Sequence, residues 1–145
     1  EDMREAPMTF PTPAEGNHPV WTVGHAAFCK AGLLSFITGK PSPLADWDGL
    51  FMGGTTPVAD PAAYPDYPEL MSAWERSHRD TLAALDALSP ADLDRPPAAV
   101  PDELKDDPNF ATVGRLLLFI ALHEMSHRGQ LADARRAAGR ATLAF

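Results

Sequence analysis

The stretch from Thr112 to Gly139, TVGRLLLFIALHEMSHRGQLADARRAAG, carries the clearest helical pattern in the chain and decides the predicted fold. Thr112 is a typical helix cap and Gly139 a typical stop, which predicts a helix that runs to Ala138. Between them, apolar residues and two histidines recur every three or four positions and therefore share one face. This face consists of Val113, Leu116, Ile120, His123, His127, Leu131, Ala134 and Ala138. Both histidines are predicted to face the core.

A second helix is predicted near the start of the chain. Asn17 can cap it, Pro19 suits its first turn, and the pattern runs to Thr38 before Gly39, Lys40 and Pro41 end it. His25 lies in the apolar stripe of this helix, which also contains Trp21, Phe28 and Gly32.

A third helix is predicted in the middle of the chain. Asp66, with Glu69 three positions later, resembles a capping box, and Ser89-Pro90 ends the pattern. Its predicted inward stripe contains Tyr67, Leu70, Trp74, Thr81, Leu85 and Leu88. Residues 40–65 and 94–108 are rich in proline and are predicted to be loops, the first of them a long crossover that packs partly on the body.

No stretch alternates polar and apolar residues between tight turns, so no strand is predicted. The expected fold class is therefore all-α, a helical bundle. The 145 residues suit one domain, residues 1–145, with a single hydrophobic core.

Charge and composition exclude several classes of protein. The net charge of −8 argues against nucleic-acid binding, which needs clustered Lys and Arg. No apolar run reaches the roughly 18 residues that a membrane span needs, and no signal-peptide pattern is present, so no membrane partner is expected. The single cysteine, Cys29, excludes an internal disulfide framework and fits a reducing compartment. The predicted location is the cytoplasm.

The segment from His123 to His127 matches the His-Glu-x-x-His pattern of zinc peptidases, in which two histidines bind the ion and the glutamate is a general base. Such enzymes take a further ligand downstream. Here the 18 residues after His127 contain neither His nor Glu, and Gln130 and Asp133 occupy the places of the extended peptidase motif. A metal-dependent hydrolase is therefore the less favoured interpretation.

A metal is still the most economical partner for two histidines one helical turn apart on an apolar face, because burying unpaired imidazoles is costly. A further ligand would come from upstream, where the candidates are His18, His25 and His78. His18 is at a helix start and is expected to face solvent. His25 and His78 both lie on predicted inward stripes, and spacing alone does not choose between them.

Three segments together resemble the DinB-like superfamily: NHPVWTVGHAAF, YPDYPELMSAWERSHRDTLAALDALSPADL and HEMSHRGQLADARRAAG. The similarity covers nearly the whole chain, with the motifs Trp-x-x-x-His and His-x-x-x-His-x-Gly-Gln in that order. It implies a four-helix bundle with a long crossover between its second and third helices. Members carry a full first helix upstream, whereas EDMREAP resembles only the end of that helix, so the first helix is expected to be truncated in this sequence.

The resemblance also implies a function. It predicts a divalent metal held by His25, His123 and His127, for which zinc or nickel is the expected ion. Relatives include thiol-dependent S-transferases and a mycothiol-dependent isomerase, so a low-molecular-weight thiol is the expected co-substrate and an electrophilic small molecule the substrate. It further implies a homodimer. The alternative is a non-catalytic metal-binding or small-ligand-binding protein of stress physiology.

Three further residues are candidates for a role at or near the site. Glu124 is the candidate catalytic residue, as a proton acceptor beside the metal. Cys29 follows His25 by one helical turn and is expected to be a small buried side chain, although a thiolate could also bind a metal. His78 is expected to be a hydrogen-bonded core histidine.

Overall fold

The computed structural model describes residue 3, residues 8–10 and residues 16–141, and this part of the chain is helical with no strand. The fold class predicted from the sequence is confirmed. The helices are α1 (Pro19–Thr38), the one-turn α2 (Asp48–Phe51), α3 (Tyr67–Asp86) and α4 (Val113–Ala137), joined by short 3-10 turns. The expected end of a truncated first helix, at residues 1–7, lies outside the described residues except for Met3.

The helix boundaries follow the predicted caps closely. The Asp66 carboxylate accepts from the Glu69 backbone N–H at 2.8 Å, and the Thr112 hydroxyl accepts from the Arg115 N–H at 3.2 Å. Gly139 follows α4 with a φ of 70°, a left-handed conformation that glycine adopts without strain. Only the cap of α1 differs, because His18 caps that helix in place of the predicted Asn17.

Helix α1 is the central helix and packs against both α3 and α4. Toward α4 it contributes Leu33 and Ile37 to a core that contains Val113 and Leu116, both fully buried. Toward α3 it packs near Leu70, which is also buried. The bundle is therefore organised around α1, with the other two long helices on either side of it.

By length and composition alone α1 could also cross a membrane, with a mean hydropathy of 1.3. This differs from the expectation that no stretch is long and apolar enough. Just over half of that stretch is buried against the rest of the protein, which is the usual situation of a core helix in a soluble protein. The feature is weak evidence for a membrane span.

The predicted inward stripe of α3 is partly wrong. Leu70 is buried as expected, but Leu85 is 45% exposed. The buried positions after Leu70 are Ala73 and Ser77, whose small side chains allow close approach to α1. The sequence pattern favoured large apolar residues, whereas the contact with α1 selects the small ones.

The crossover is tied to the body by α2. Phe51, the last residue of α2, is fully buried in a cluster with Val20, Trp21 and Leu70. Its ring lies directly against Gly24, where no side chain separates the two segments. The crossover thereby reaches α1 one residue before His25.

Candidate metal centre

Three histidine side chains converge between α1 and α4. The Nε2 atom of His123 lies 3.2 Å from the Nε2 of His25 and 3.2 Å from the Nε2 of His127. The ring centres of His25 and His127 are 4.8 Å apart. Two imidazole nitrogens on one tetrahedral zinc ion are about 3.3 Å apart, given Zn–N bonds of about 2.0–2.1 Å. The donor set and its spacing therefore fit a divalent metal ion.

The orientation of His25 is fixed by the crossover. Its Nδ1 lies 2.6 Å from the carbonyl oxygen of Phe51. A carbonyl oxygen only accepts, so Nδ1 carries the proton and Nε2 presents a lone pair toward His123. The indole of Trp21 stacks on the same ring at 4.4 Å and restricts its rotation.

His127 has an equivalent partner on its own helix. Its Nδ1 lies 3.0 Å from the amide oxygen Oε1 of Gln130, which also accepts from the side chain of Asn17 at 3.5 Å. The imidazole donates to this oxygen, and its Nε2 is left as a lone pair that points to His123. Such outer hydrogen bonds are typical of metal-binding histidines. The sequence interpretation assigned Gln130 no such role, although its place three residues after His127 was a usable signal.

Burial keeps two of the rings neutral. It is the main cause that holds the pKa of His25 below its usual value, against the hydrogen bond to Phe51, with nearby His127 adding to the effect. Burial, followed by the charges of His127 and His25, lowers the pKa of His123 to about 4. Both rings are therefore neutral at pH 7, the state in which imidazole binds a metal.

Cys29 lies beside the same cluster. Its Sγ is 3.5 Å from both ring nitrogens of His25, and ligand atoms of His25, Cys29 and His123 all lie within 4.8 Å of one another. Burial raises the pKa of the Cys29 thiol to about 12, so without a metal the group is a thiol. The cluster thus offers two overlapping ligand sets, one that includes His127 and one that includes Cys29.

Comparison with known families agrees with this architecture. The family model of the DinB superfamily matches residues 1–131. The chain belongs to the DinB superfamily. No curated protein and no solved structure matches it at a significant level. For this DinB protein, the predicted family and helical fold are confirmed, together with a histidine cluster that could hold a metal.

Two other histidines of the DinB protein lie where the sequence did not predict them. His18 was expected to face solvent, but it is 1% exposed: its Nδ1 accepts from the Trp21 N–H, and its Nε2 lies 2.9 Å from the Val58 carbonyl. His78 was expected in the core, but it is exposed and stacks on Trp74. The crossover covers His18, whereas α3 is rotated so that smaller residues face α1.

Glu124, the candidate catalytic residue, forms an ion pair with Lys30 of α1. The Glu124 side chain is 29% exposed, whereas that of Lys30 is 1% exposed. The sequence pattern does not mark Lys30 as a site residue, although it is the one charged residue within Pro19–Thr38. A lone charge in a buried helix is a usable signal, because it needs a partner there.

Proposed function

We propose that this DinB protein binds a divalent metal ion, zinc or nickel, through His25, His123 and His127, and that it transfers a low-molecular-weight thiol to an electrophilic small molecule. Two hydrogen bonds support this ligand set. The Nδ1 of His25 donates to the Phe51 carbonyl, and the Nδ1 of His127 donates to the Gln130 side chain. They leave the Nε2 atoms of His25 and His127 directed at the same point, next to the Nε2 of His123.

A metal held by three imidazoles has room for a further ligand, and when bound it would lower the pKa of a thiol there so that a nucleophilic thiolate forms. The protein's own residues hold the three rings, and the Trp21 indole covers one face of the His25 ring and excludes water from it. His127 also lines a groove between α1, α3 and α4 that offers a place for the electrophile. An isomerase that uses the thiol as a cofactor would need the same arrangement.

A specific observation favours a second function, a non-catalytic metal-binding protein. In a tetrahedral zinc site a sulfur ligand lies about 3.5 Å from a nitrogen ligand. Cys29 Sγ lies at this distance, 3.5 Å, from His25 Nε2. If Cys29 took the remaining position, the site would be closed to a thiol and the metal would stabilise the bundle instead of reacting.

Cobalt substitution separates the two functions. In the proposed enzyme, the cobalt spectrum of the Cys29→Ser variant matches that of the wild type, and added 2-mercaptoethanol or cysteine gives a new thiolate-to-cobalt band. In the closed site, the wild type has that band without added thiol and the variant loses it. Thiol consumption with 1-chloro-2,4-dinitrobenzene then measures the reaction. A His123→Ala variant that keeps full metal affinity would overturn both functions.

We also propose that the protein forms a homodimer in the cytoplasm. Leu118, Leu122 and Met125 lie on one face of α4 and are 59%, 58% and 56% exposed. A continuous apolar stripe of this kind is typical of a surface that another protein covers. A second copy of the chain is the proposed occupant, and the single cysteine supports the cytoplasmic location.

A further inference from the structure

Lys30 is a charged residue buried in the centre of the bundle. It is 1% exposed and belongs to the otherwise uncharged helix α1. Burying an ammonium group is unfavourable unless other groups compensate for the water it loses. The compensation here comes from two different helices.

On the side of α4, Lys30 forms the ion pair with Glu124. On the side of α3, its Nζ lies 5.1 Å from the centre of the Trp74 ring and 3.4 Å from Nδ1 of His78. The Trp74 and His78 rings are stacked nearly parallel, at 4°. An ammonium group has three N–H donors and is attracted to an indole face, so it can satisfy all three contacts at once. Lys30 therefore links side chains of α3 and α4 through α1.

Two of these partners, Trp74 and Glu124, line the groove between the three long helices, whose volume is about 360 Å³. Trp74 and Met71 line one side and Glu124 lines the other, with His127 close by. Val23, Ala26, Met125, Arg128 and Leu131 complete the lining. The lining is mostly apolar, and its charged side chains are those of Glu124, whose carboxylate only accepts hydrogen bonds, and Arg128, whose guanidinium only donates them. Lys30 lies behind the wall and does not line the groove.

We infer that Lys30 is a positioning residue that fixes Glu124 as a hydrogen-bond acceptor in this groove, and that the groove binds small molecules with an apolar body and a hydrogen-bond donor. The inference rests on the proposed function only in taking the groove as the place of the electrophile. Binding to the groove itself requires neither metal nor thiol, so the inference and the proposed function can fail separately.

Two matched probes test the inference, 2-naphthylmethanol and its methyl ether. They share an apolar body and are both uncharged, but only the alcohol can donate a hydrogen bond. A hydrogen bond to a charged group contributes about 1.5–3 kcal/mol, so the metal-free full chain should bind the alcohol roughly tenfold or more tightly than the ether. Titration calorimetry measures both affinities.

Four variants test whether the preference for the alcohol over the ether depends on Lys30 and Glu124. Lys30→Met and Glu124→Gln should each reduce the preference for the alcohol, the double variant should lose little more than either, and Lys30→Arg should retain most of it. Lys105→Met removes an exposed lysine that pairs with Asp102 and serves as the control. If Lys30→Met does not fold, Glu124→Gln and Lys30→Arg decide the result.

Three other outcomes would contradict either the inference or the proposed function. Loss of stability in Lys30→Met with an unchanged preference between the probes would mean that Lys30 only holds the helices together. Binding of neither probe by the wild type, as expected if another helix fills the groove, would overturn the inference. Failure of the protein to bind metal or consume thiol would count against the proposed function and leave the probe result intact.

Discussion

Gly24 and Phe51 approach each other so closely that a Cβ atom on Gly24 would overlap the Phe51 ring. The same Phe51 accepts the hydrogen bond from Nδ1 of His25 through its backbone carbonyl. Gly24 thus allows the crossover to reach the helix that carries the first of the three histidines. Core packing and the orientation of the His25 ring therefore both depend on the contact between Gly24 and Phe51.

Gly24→Ala is therefore expected to destabilise the protein. The Phe51 ring is fully buried, so it can move only by disturbing the core, and overpacking of this kind costs about 1–3 kcal/mol. Gly32→Ala, on the same helix, is the matched control because a Cβ there meets nothing within 4 Å. That control should be stabilised by about 0.5–1 kcal/mol through its helix propensity. Urea unfolding of both variants measures the difference, and equal effects would contradict the prediction.

Gln130→Ala is expected to weaken metal binding without unfolding the chain. The variant removes the acceptor that orients the His127 ring, and loss of such an outer partner typically reduces metal affinity roughly 10- to 100-fold. Competition with a chromophoric chelator gives the affinity. Ser72→Ala, at an exposed position of α3, should bind metal like the wild type. An unchanged affinity in Gln130→Ala would show that His127 is not held for a metal.

Stability should fall in mild acid because of His18. Burial holds its pKa below the usual 6.5, and its backbone hydrogen bonds oppose this only in part. As the pH falls below about 6.5, the unfolded chain takes up the proton before the folded chain does, so the free energy of unfolding decreases. The free energy of unfolding is therefore not reduced by His18 above pH 6.5. The reduction grows as the pH falls from 6.5 toward the lower pKa of His18 in the folded state.

His18→Asn isolates this effect, because asparagine is a good helix cap that does not titrate. Urea unfolding of the metal-free wild type and variant is compared at pH values on both sides of 6.5. The variant should show the weaker pH dependence, since His25 and His123 titrate in both proteins. Identical pH dependence would rule out His18 as a contributor.

Leu122→Glu is expected to convert the proposed homodimer to a monomer. A glutamate in the centre of the α4 stripe would place a charge in an apolar interface, which is strongly unfavourable unless it is paired. Sedimentation equilibrium measures the mass of the wild type and the variant. Leu85→Glu changes an exposed leucine of α3 in the same way and should leave the dimer intact. A monomeric wild type would contradict the proposal directly.

The parts of the structure that could be predicted depend on local periodicity and capping. The spacing of His123 and His127 fixes both on one face of α4 because a helix repeats every 3.6 residues. Asp66 and Thr112 cap their helices as predicted, because a cap needs only a side-chain oxygen near the first turn. The choice of His25 over His78 needed the family resemblance, since helix spacing does not determine which helices meet.

The remaining features depend on contacts between distant segments. His18 is buried because the crossover residues Val58 and Tyr64 cover it, and nothing in its own sequence neighbourhood shows this. The acceptor for His25 is a backbone carbonyl, which every residue has, so Phe51 carries no recognisable signature. The sequence offers many acidic residues as partners for Lys30, and only the rotation of α4 in the structure shows that Glu124 is the partner.

His25 and His123 lie 98 residues apart in the sequence. An ion shared between them would bind only the folded chain, because the unfolded chain does not bring these two residues together. At an ion concentration a hundredfold above the dissociation constant, such selective binding adds about 2.7 kcal/mol to stability. The supply of the ion in the cell would then set how long each molecule survives proteolysis. Cells starved of the ion would contain less of this protein, in addition to having less of it in the loaded form.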